Sequence, residues 1–286
     1  MNTIVKLPAD FCTNADVAHT IPASYYTNQD VFEVEKEKIF ANTWICVGHR
    51  SEVANSNDYI TREVIGESII VVRGRDNVLR AFYNVCPHRG HQLLSGSGKA
   101  KNVITCPYHA WTFKLDGELA HARNCDNVVN FDKENSSLVS LRVEEYAGMI
   151  FATFKDDIEP LVDYLGPAKK WMDLFMKQGG GFPIKVAGEH RFRFPGNWKI
   201  QLENTTDAYH FPLVHKSFLS SVDQQTVEML DFVGGQWLPD WHRIVRRILA
   251  QTGLDGPALG VRHNYNSLPE FSLLPWDDLD VCGKNL

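Results

Sequence analysis

Between residues 86 and 109 the chain sets two thiols and two imidazoles in a pattern suited to a metal centre. It reads Cys86-Pro-His88-Arg-Gly-His, then a connection rich in Gly, Ser and Lys, then Cys106-Pro-Tyr-His109-Ala-Trp. Each tip mixes one Cys with one His, and 17 residues separate His88 from Cys106. Thiolates are soft ligands suited to iron–sulfur chemistry, and imidazoles ligate as neutral rings. A [2Fe-2S] centre in which one iron keeps two Cys and the other takes two His needs this set, and the imidazoles raise its potential above that of an all-Cys cluster. Tetrahedral zinc also accepts two Cys and two His, but zinc fingers pair like with like, as Cys-x2-4-Cys and His-x3-5-His. The mixed tips argue against it. Gly90, Gly96 and Gly98 permit tight turns around an inorganic core, and Pro87 and Pro107 stiffen the tips. His91 is surplus to four ligands and is expected at the surface or behind a ligand.

A second constellation lies further on, in Asn197-Trp-Lys-Ile-Gln-Leu-Glu-Asn-Thr-Thr-Asp-Ala-Tyr-His-Phe-Pro-Leu-Val-His. Asp207 precedes His210 by three residues, which puts both on one face of a helix. Pro212 breaks that helix and lets His215 turn back towards the same point. With one further carboxylate, His210 and His215 would complete a 2-His-1-carboxylate site for Fe(II), whose open positions take O2 and substrate. Two hydrogen-bonded core histidines beside Trp198 and Tyr209 fit the same spacing. The residues alone leave both readings open.

The elements that must hold these groups follow from the surrounding texture. The opening to about Gln29 is polar and reads as an arm, and Asp30 can cap a helix over Val31–Thr43. Short β-branched runs then predict an antiparallel sheet, with strands at Tyr59–Val64, Ser68–Arg73, Val78–Val85, Val103–Phe113 and Leu141–Phe154. Gly74–Asn77 and Asp116-Gly117 are turn signals. Both tips should sit in loops between strands, with Tyr108, Trp111 and Phe113 packed around the cluster. Pro160–Met176 has helical spacing interrupted at Gly166-Pro167, the Gly179–Gly181 run ends it, and Ile184–Phe194 alternates as a strand. A later helix is expected at Trp241–Thr252. The implied division is an arm and helix over 1–43, an iron–sulfur domain over 44–155 and a second domain over 156–286.

With 286 residues and 44% hydrophobic content the chain can bury a core in up to two domains. A net charge of −6 without a basic patch excludes nucleic acid as a partner. Lys6, Asp10, Asn14 and Asp16 stand where a signal peptide needs an apolar stretch. Neither a membrane span nor a leader is expected. Cys12, Cys46, Cys125 and Cys282 are too scattered for a disulfide framework, so a cytoplasmic location is expected.

The pattern Cys-x-His-x17-Cys-x2-His, with Arg89, Gly90 and Trp111, resembles the Rieske iron–sulfur domain. Followed by Glu203-Asn-x-x-Asp-x-Tyr-His-x4-His215, it resembles the oxygenase α subunit of the Rieske non-haem iron oxygenases. That resemblance implies an α+β fold: an antiparallel β Rieske domain plus an incomplete α+β, helix-grip-like catalytic domain. It implies a [2Fe-2S] cluster on Cys86, His88, Cys106 and His109, and Fe(II) on His210, His215 and a carboxylate. It also implies a separate NAD(P)H-dependent reductase, with or without a ferredoxin, and a head-to-tail homotrimer, with or without a β subunit. In such a trimer Asp207 would bridge His109 of one subunit to His210 of the next. Asn204 and Phe211 are candidates for the pocket wall. The third iron ligand is not assigned. Only 71 residues follow His215, and Asp231, Asp240, Asp255, Asp277, Asp278 and Asp280 are available, so a truncated or divergent catalytic domain is expected.

The two halves point to different substrates. Residues 7–154, including Trp44-Ile-Cys-Val-Gly, Tyr59-Ile-Thr-Arg and Asp132-Lys-Glu-Asn-Ser-Ser, look most like the carnitine and betaine type. Phe192–Asp223 looks more like aromatic-ring oxygenases, and Asp207 stands where the carnitine type is expected to carry Glu. Because the pocket belongs to the second domain, hydroxylation of an aromatic substrate, as in aromatic hydrocarbon catabolism, is the main expectation. The alternatives are a quaternary-amine monooxygenase or demethylase, and a truncated Rieske protein without oxygenase activity.

Overall fold

The computed structural model describes residues 22–125, 128–166, 168–206 and 210–219. The chain divides into two compact units, one built from residues 1–7, 29–165 and 184–190, the other from 8–28, 166–183 and 191–286. The first described helix, α1 (Ser24–Thr27), belongs to the second unit.

The first unit begins with α2 (Gln29–Lys38) and a 3-10 turn at Phe40–Asn42. Asp30 therefore sits inside the first turn instead of capping it, and the helix expected to reach Thr43 stops five residues earlier. The strands follow as β1 (Ile45–His49), β2 (Asp58–Val64), β3 (Glu67–Arg73), β4 (Leu79–Tyr83), β5 (Ser97–Lys99), β6 (Val103–Thr105), β7 (Thr112–Lys114), β8 (Leu119–His121), β9 (Ser140–Tyr146) and β10 (Met149–Thr153). Seven of them form an antiparallel sheet in the order β1-β10-β9-β4-β3-β2-β5, and β6-β7-β8 form a second sheet. The expected strand Val103–Phe113 is in fact two, parted by the second tip. Leu141–Phe154 is a hairpin, because Ala147 and Gly148 take left-handed conformations at φ 51° and 84°. That pair is the signature of a tight two-residue turn.

β3 lies in the interior of the large sheet, and its period of two sends alternate side chains into two different cores. Ile69 and Val71 pack with Val47, Val53, Ile60, Leu141 and Ile150. Ile70 and Val72 face the other way and pack with Phe82, Ile104, Phe113 and Leu119, in the core that also contains the Cys86 and Cys106 thiols. The thiols are thus part of a packed interior. At the expected Asp116-Gly117 turn, Gly117 has φ 94°, and a Cβ there would meet Phe82 Cε1 at 2.5 Å. Only glycine serves at that point.

Beyond β10 the backbone is tied to the sheet by side chains. Trp44 Nε1 donates to the Glu159 carbonyl at 3.0 Å, and the Arg142 guanidinium lies over the Trp44 ring. Arg142 also donates to the carbonyls of Asp156 and Ile158 and to Glu144. Glu144 in turn accepts from the Leu161 amide at 3.0 Å, at the start of α3 (Leu161–Tyr164). The segment Ile184–Phe194, expected as a strand, is irregular. Its alternation pairs with no neighbouring strand among the described residues, and Phe192 is 87% exposed.

The described part of the second unit is helical. It contains α1, α4 (Ala168–Met176), α5 (Trp198–Thr206), α6 (Phe211–Val214) and α7 (Lys216–Leu219). Gly180, in the left-handed conformation at φ 59°, closes the turn after α4, as the glycine run predicts. No helix among the described residues is long and apolar enough to cross a membrane. The helix expected at Trp241–Thr252 lies outside the described residues.

Candidate metal centres

The two tips are built alike. In the first, the Gly90 amide donates back to the Cys86 carbonyl at 2.8 Å and the Cys86 amide donates to the His91 carbonyl at 2.8 Å. In the second, Ala110 donates to Cys106 at 3.0 Å and Cys106 donates to Trp111 at 2.7 Å. Each loop closes through a left-handed residue four beyond its Cys, Gly90 at φ 69° and Ala110 at φ 59°. Ala110 accepts a conformation that costs a non-glycine residue about 1 kcal/mol.

This repeat brings the four expected ligands together. Cys86 and Cys106 are both buried and unbridged. The His88 and His109 rings approach edge to face with centroids 4.7 Å apart. Among the described residues, no three His, Cys, Asp or Glu side chains are grouped so as to hold one metal ion. A single zinc needs its donors around one point, whereas a two-iron cluster needs only two protein ligands at each iron. The donor atoms themselves fit a metal-bound role. His109 Nδ1 is buried and has no hydrogen-bond partner, a deficit worth about 1–3 kcal/mol that a metal bond removes. Burial pushes the His109 imidazolium down, with His88, Arg89 and His91 acting in the same direction, and so favours the neutral ring that ligates. Burial likewise pushes the Cys86 thiol up, with Cys106 adding to it and the backbone at His88 and Arg89 opposing it.

Aromatic rings back both imidazoles. Trp111, buried, stacks on His88 at 4.7 Å and 8°, and Phe131 meets Trp111 edge on. Tyr108 lies over His109 at 3.9 Å yet is 58% exposed, so it shields a ligand from the solvent side and does not join the core as expected. His91 is exposed, and its backbone serves the tip.

Asn84, two residues before Cys86, has no role in the sequence reading, although a polar residue inside Leu79-Arg-Ala-Phe-Tyr-Asn-Val was a visible signal. Only 2% exposed, it accepts from the amides of Leu93 and Leu94 at 3.1 and 2.9 Å. Its Nδ2 donates to the Leu94 carbonyl at 2.7 Å and to Ser68 Oγ at 3.1 Å. Asn84 therefore clamps the chain returning from the first tip. Asn84→Leu takes the acceptor from the Leu93 and Leu94 amides, while the Leu94 carbonyl keeps its bond from Gln92 Nε2 at 3.0 Å, and should cost about 2–6 kcal/mol, at 1–3 kcal/mol per orphaned amide. Denaturant unfolding checks this, and a loss below about 1 kcal/mol contradicts it.

The second constellation is only partly described. His210 and His215 flank α6, and their Nε2 atoms are 3.2 Å apart. That is the distance of an N–H···N hydrogen bond. It is also the distance of two nitrogens on one metal: with metal–nitrogen bonds of about 2.1 Å the angle between them is about 100°. Asn204 lies exposed on α5, and Phe211 begins α6. Asp207 and the candidate third ligands Asp231, Asp240, Asp255, Asp277, Asp278 and Asp280 lie outside the described residues.

Paired tips holding two thiols and two imidazoles in an antiparallel β domain define an iron–sulfur electron carrier. Comparison with known proteins agrees and extends this. Residues 43–132 match the Rieske [2Fe-2S] domain, and residues 184–270 match the ring hydroxylating alpha subunit catalytic domain. The chain therefore carries a Rieske [2Fe-2S] domain and a ring-hydroxylating α-subunit catalytic domain, and these two domains imply a [2Fe-2S] cluster and a non-haem Fe(II). It is 57% identical over 225 residues to the carnitine monooxygenase oxygenase subunit of Acinetobacter baumannii, covering 78% of this chain and 59% of that relative. The chain thus spans about three-fifths of the relative's length. A crystal structure of a quaternary ammonium Rieske monooxygenase in complex with L-carnitine superposes with a TM-score of 0.71 at 56% identity, over 77% of this chain and 62% of that one. The anthranilate 1,2-dioxygenase large subunit of Acinetobacter baylyi is 36% identical, over 76% of this chain and 46% of its own.

These likenesses overturn the expectation of an aromatic substrate. The expectation leaned on the run around Asp207, a residue read as a bridge between metal centres. Such a residue need not touch substrate, so its identity reports nothing about the pocket.

Proposed function

We propose that the chain acts as the oxygenase subunit of a Rieske monooxygenase for a quaternary ammonium compound of the carnitine type. The observation that carries this is the 57% identity to a carnitine monooxygenase oxygenase subunit over 225 residues. In this reading the iron–sulfur domain spans 44–155 and the catalytic domain begins at 156. Cys86 and Cys106 hold one iron of the cluster, and His88 and His109 hold the other. His210 and His215 hold Fe(II) together with a carboxylate beyond the described residues.

When bound, the cluster supplies single electrons and Fe(II) supplies the site at which O2 is used. The protein's own groups do the rest. Backbone amides at His88 and Arg89 favour the Cys86 thiolate. Trp111 and Tyr108 hold the two imidazoles in place, and Asp207 accepts from His109 of a neighbouring subunit and from His210. The subunits close into a head-to-tail trimer. A separate NAD(P)H-dependent reductase supplies the electron pair. The balance is substrate, O2, NAD(P)H and a proton giving a hydroxylated substrate, water and NAD(P)+. A hydroxyl placed on the carbon bonded to the quaternary nitrogen lets that C–N bond break, with release of a tertiary amine and an aldehyde.

The test uses iron-loaded protein with a compatible reductase, NADH and L-carnitine or γ-butyrobetaine. Substrate-dependent NADH oxidation with matching amounts of amine and aldehyde is expected. Full loading with both metals and no amine from either compound overturns the reading.

A further inference from the structure

Tyr26 and Glu203 are 177 residues apart in sequence, yet the Tyr26 hydroxyl donates to Glu203 Oε1 at 2.6 Å. Both belong to the second unit. Glu203 opens the motif that ends in His210 and His215, and nothing above gives it a role. Two further contacts hold Tyr26 against the same helix. Asn197 caps the start of α5, its Oδ1 accepting from the Lys199 amide at 3.0 Å, while its Nδ2 donates to the Tyr26 carbonyl at 3.2 Å. The Lys199 ammonium lies 5.6 Å from the centre of the Tyr26 ring.

We infer that Tyr26 is a positioning residue for the histidine iron site, gripping α5 at Asn197, Lys199 and Glu203 so that the helix presents His210 at a fixed place. The inference rests on the reading of His210 and His215 as iron ligands. Its physical basis is the geometry of α5. From Asn197 to Glu203 the contacts span about 9 Å along the helix axis, at 1.5 Å per residue. Contacts at three points along that length fix both the rotation and the slide of the helix. Packing does not do this alone, since none of the described side chains of α5 is buried and its apolar Ile200 and Leu202 are 49% and 53% exposed. The helix runs to Thr206, and His210 follows four residues later. A turn of α5 about its axis moves the Thr206 end from which the chain runs on to His210, and a metal site tolerates displacements of only about 0.2 Å in its bond lengths. Acceptance by Glu203 pushes the Tyr26 hydroxyl up to about 12, so it remains a donor throughout the neutral range.

The experiment compares Fe(II) dissociation constants, by chelator competition, for the full chain and for Tyr26→Phe, Glu203→Gln and Glu203→Leu. Cluster absorbance and melting temperature are read in parallel. Tyr26→Phe and Glu203→Leu are expected to weaken Fe(II) binding about tenfold, the lower end of the loss seen when supporting contacts of a metal site are removed. Glu203→Gln keeps an acceptor and should stay within about twofold of wild type. Cluster absorbance and melting temperature should not move. Unchanged Fe(II) affinity in Tyr26→Phe, or equal losses for Gln and Leu at position 203, overturns the inference while leaving the iron site standing. Loss of cluster along with Fe(II) marks Tyr26 as a general fold residue and also overturns it. Wild-type protein that holds no iron beyond its cluster overturns instead the reading of His210 and His215.

Discussion

Cys106→Ser is expected to yield protein without the cluster's colour, in which acid-labile sulfide falls from two per chain to background and iron falls by two, leaving at most the single iron of the histidine site. The Cys106 thiol is 2% exposed and sits in the same core as Cys86, Phe113 and Leu119, so no other ligand can swing in from solvent to replace it. Serine offers a hard oxygen with a high pKa in place of a soft thiolate, a poor match for a sulfide-bridged iron. Without the cluster His109 Nδ1, a buried nitrogen with no hydrogen-bond partner in the protein, would lack a ligation partner as well. Exposed Cys46 provides the control, and Cys46→Ser should keep the full complement of iron and sulfide. Retention of cluster by Cys106→Ser, or zinc at the site in wild-type protein, would remove Cys106 from the ligand set.

Asp207→Asn is expected to leave iron and sulfide contents unchanged while turnover falls to background. The carboxylate can accept a hydrogen bond on each of its two oxygens, as a bridge between two ligating imidazoles requires. Asparagine has nearly the same shape, but in the proposed bridge it would offer one acceptor and turn an NH2 to the second ring, so one side of that bridge would be lost. The direct observable is a single turnover. Reduced cluster mixed with O2 and substrate should reoxidise promptly in wild type and stay reduced in the variant. Equal reoxidation with both metals bound would show that electrons reach Fe(II) by another route.

Residue types and spacing were enough to single out the two tips that the fold brings together, and the reason is local. Each tip closes on itself through hydrogen bonds within five residues of its Cys, so the pattern Cys-x-His and Cys-x2-His carries most of the geometry. The central strands were equally legible, because β3 is β-branched and buried on both faces. Other local readings failed where two signals overlap. Residues 141–154 look like one continuous strand until Ala147 and Gly148 reverse the chain, and the alternation at 184–194 has no strand beside it to make it a sheet. The aromatic expectation failed because the short run Phe192–Asp223, with Asp207, was weighted as the pocket-bearing half above a likeness that extends over most of the chain.

Only the folded chain brings Asn84 to the amides of Leu93 and Leu94, or Tyr26 to Glu203. A ligand is recognisable by what it is, since metal chemistry selects side chains by donor atom. The residues that hold a ligand in place are ordinary asparagines, tyrosines and glutamates, and nothing in their type or local spacing distinguishes them. Their role comes from contacts that reach past the local motif, over ten residues for Asn84 and 177 for Tyr26, and those exist only once the surrounding packing has offset the entropy of bringing the two ends together.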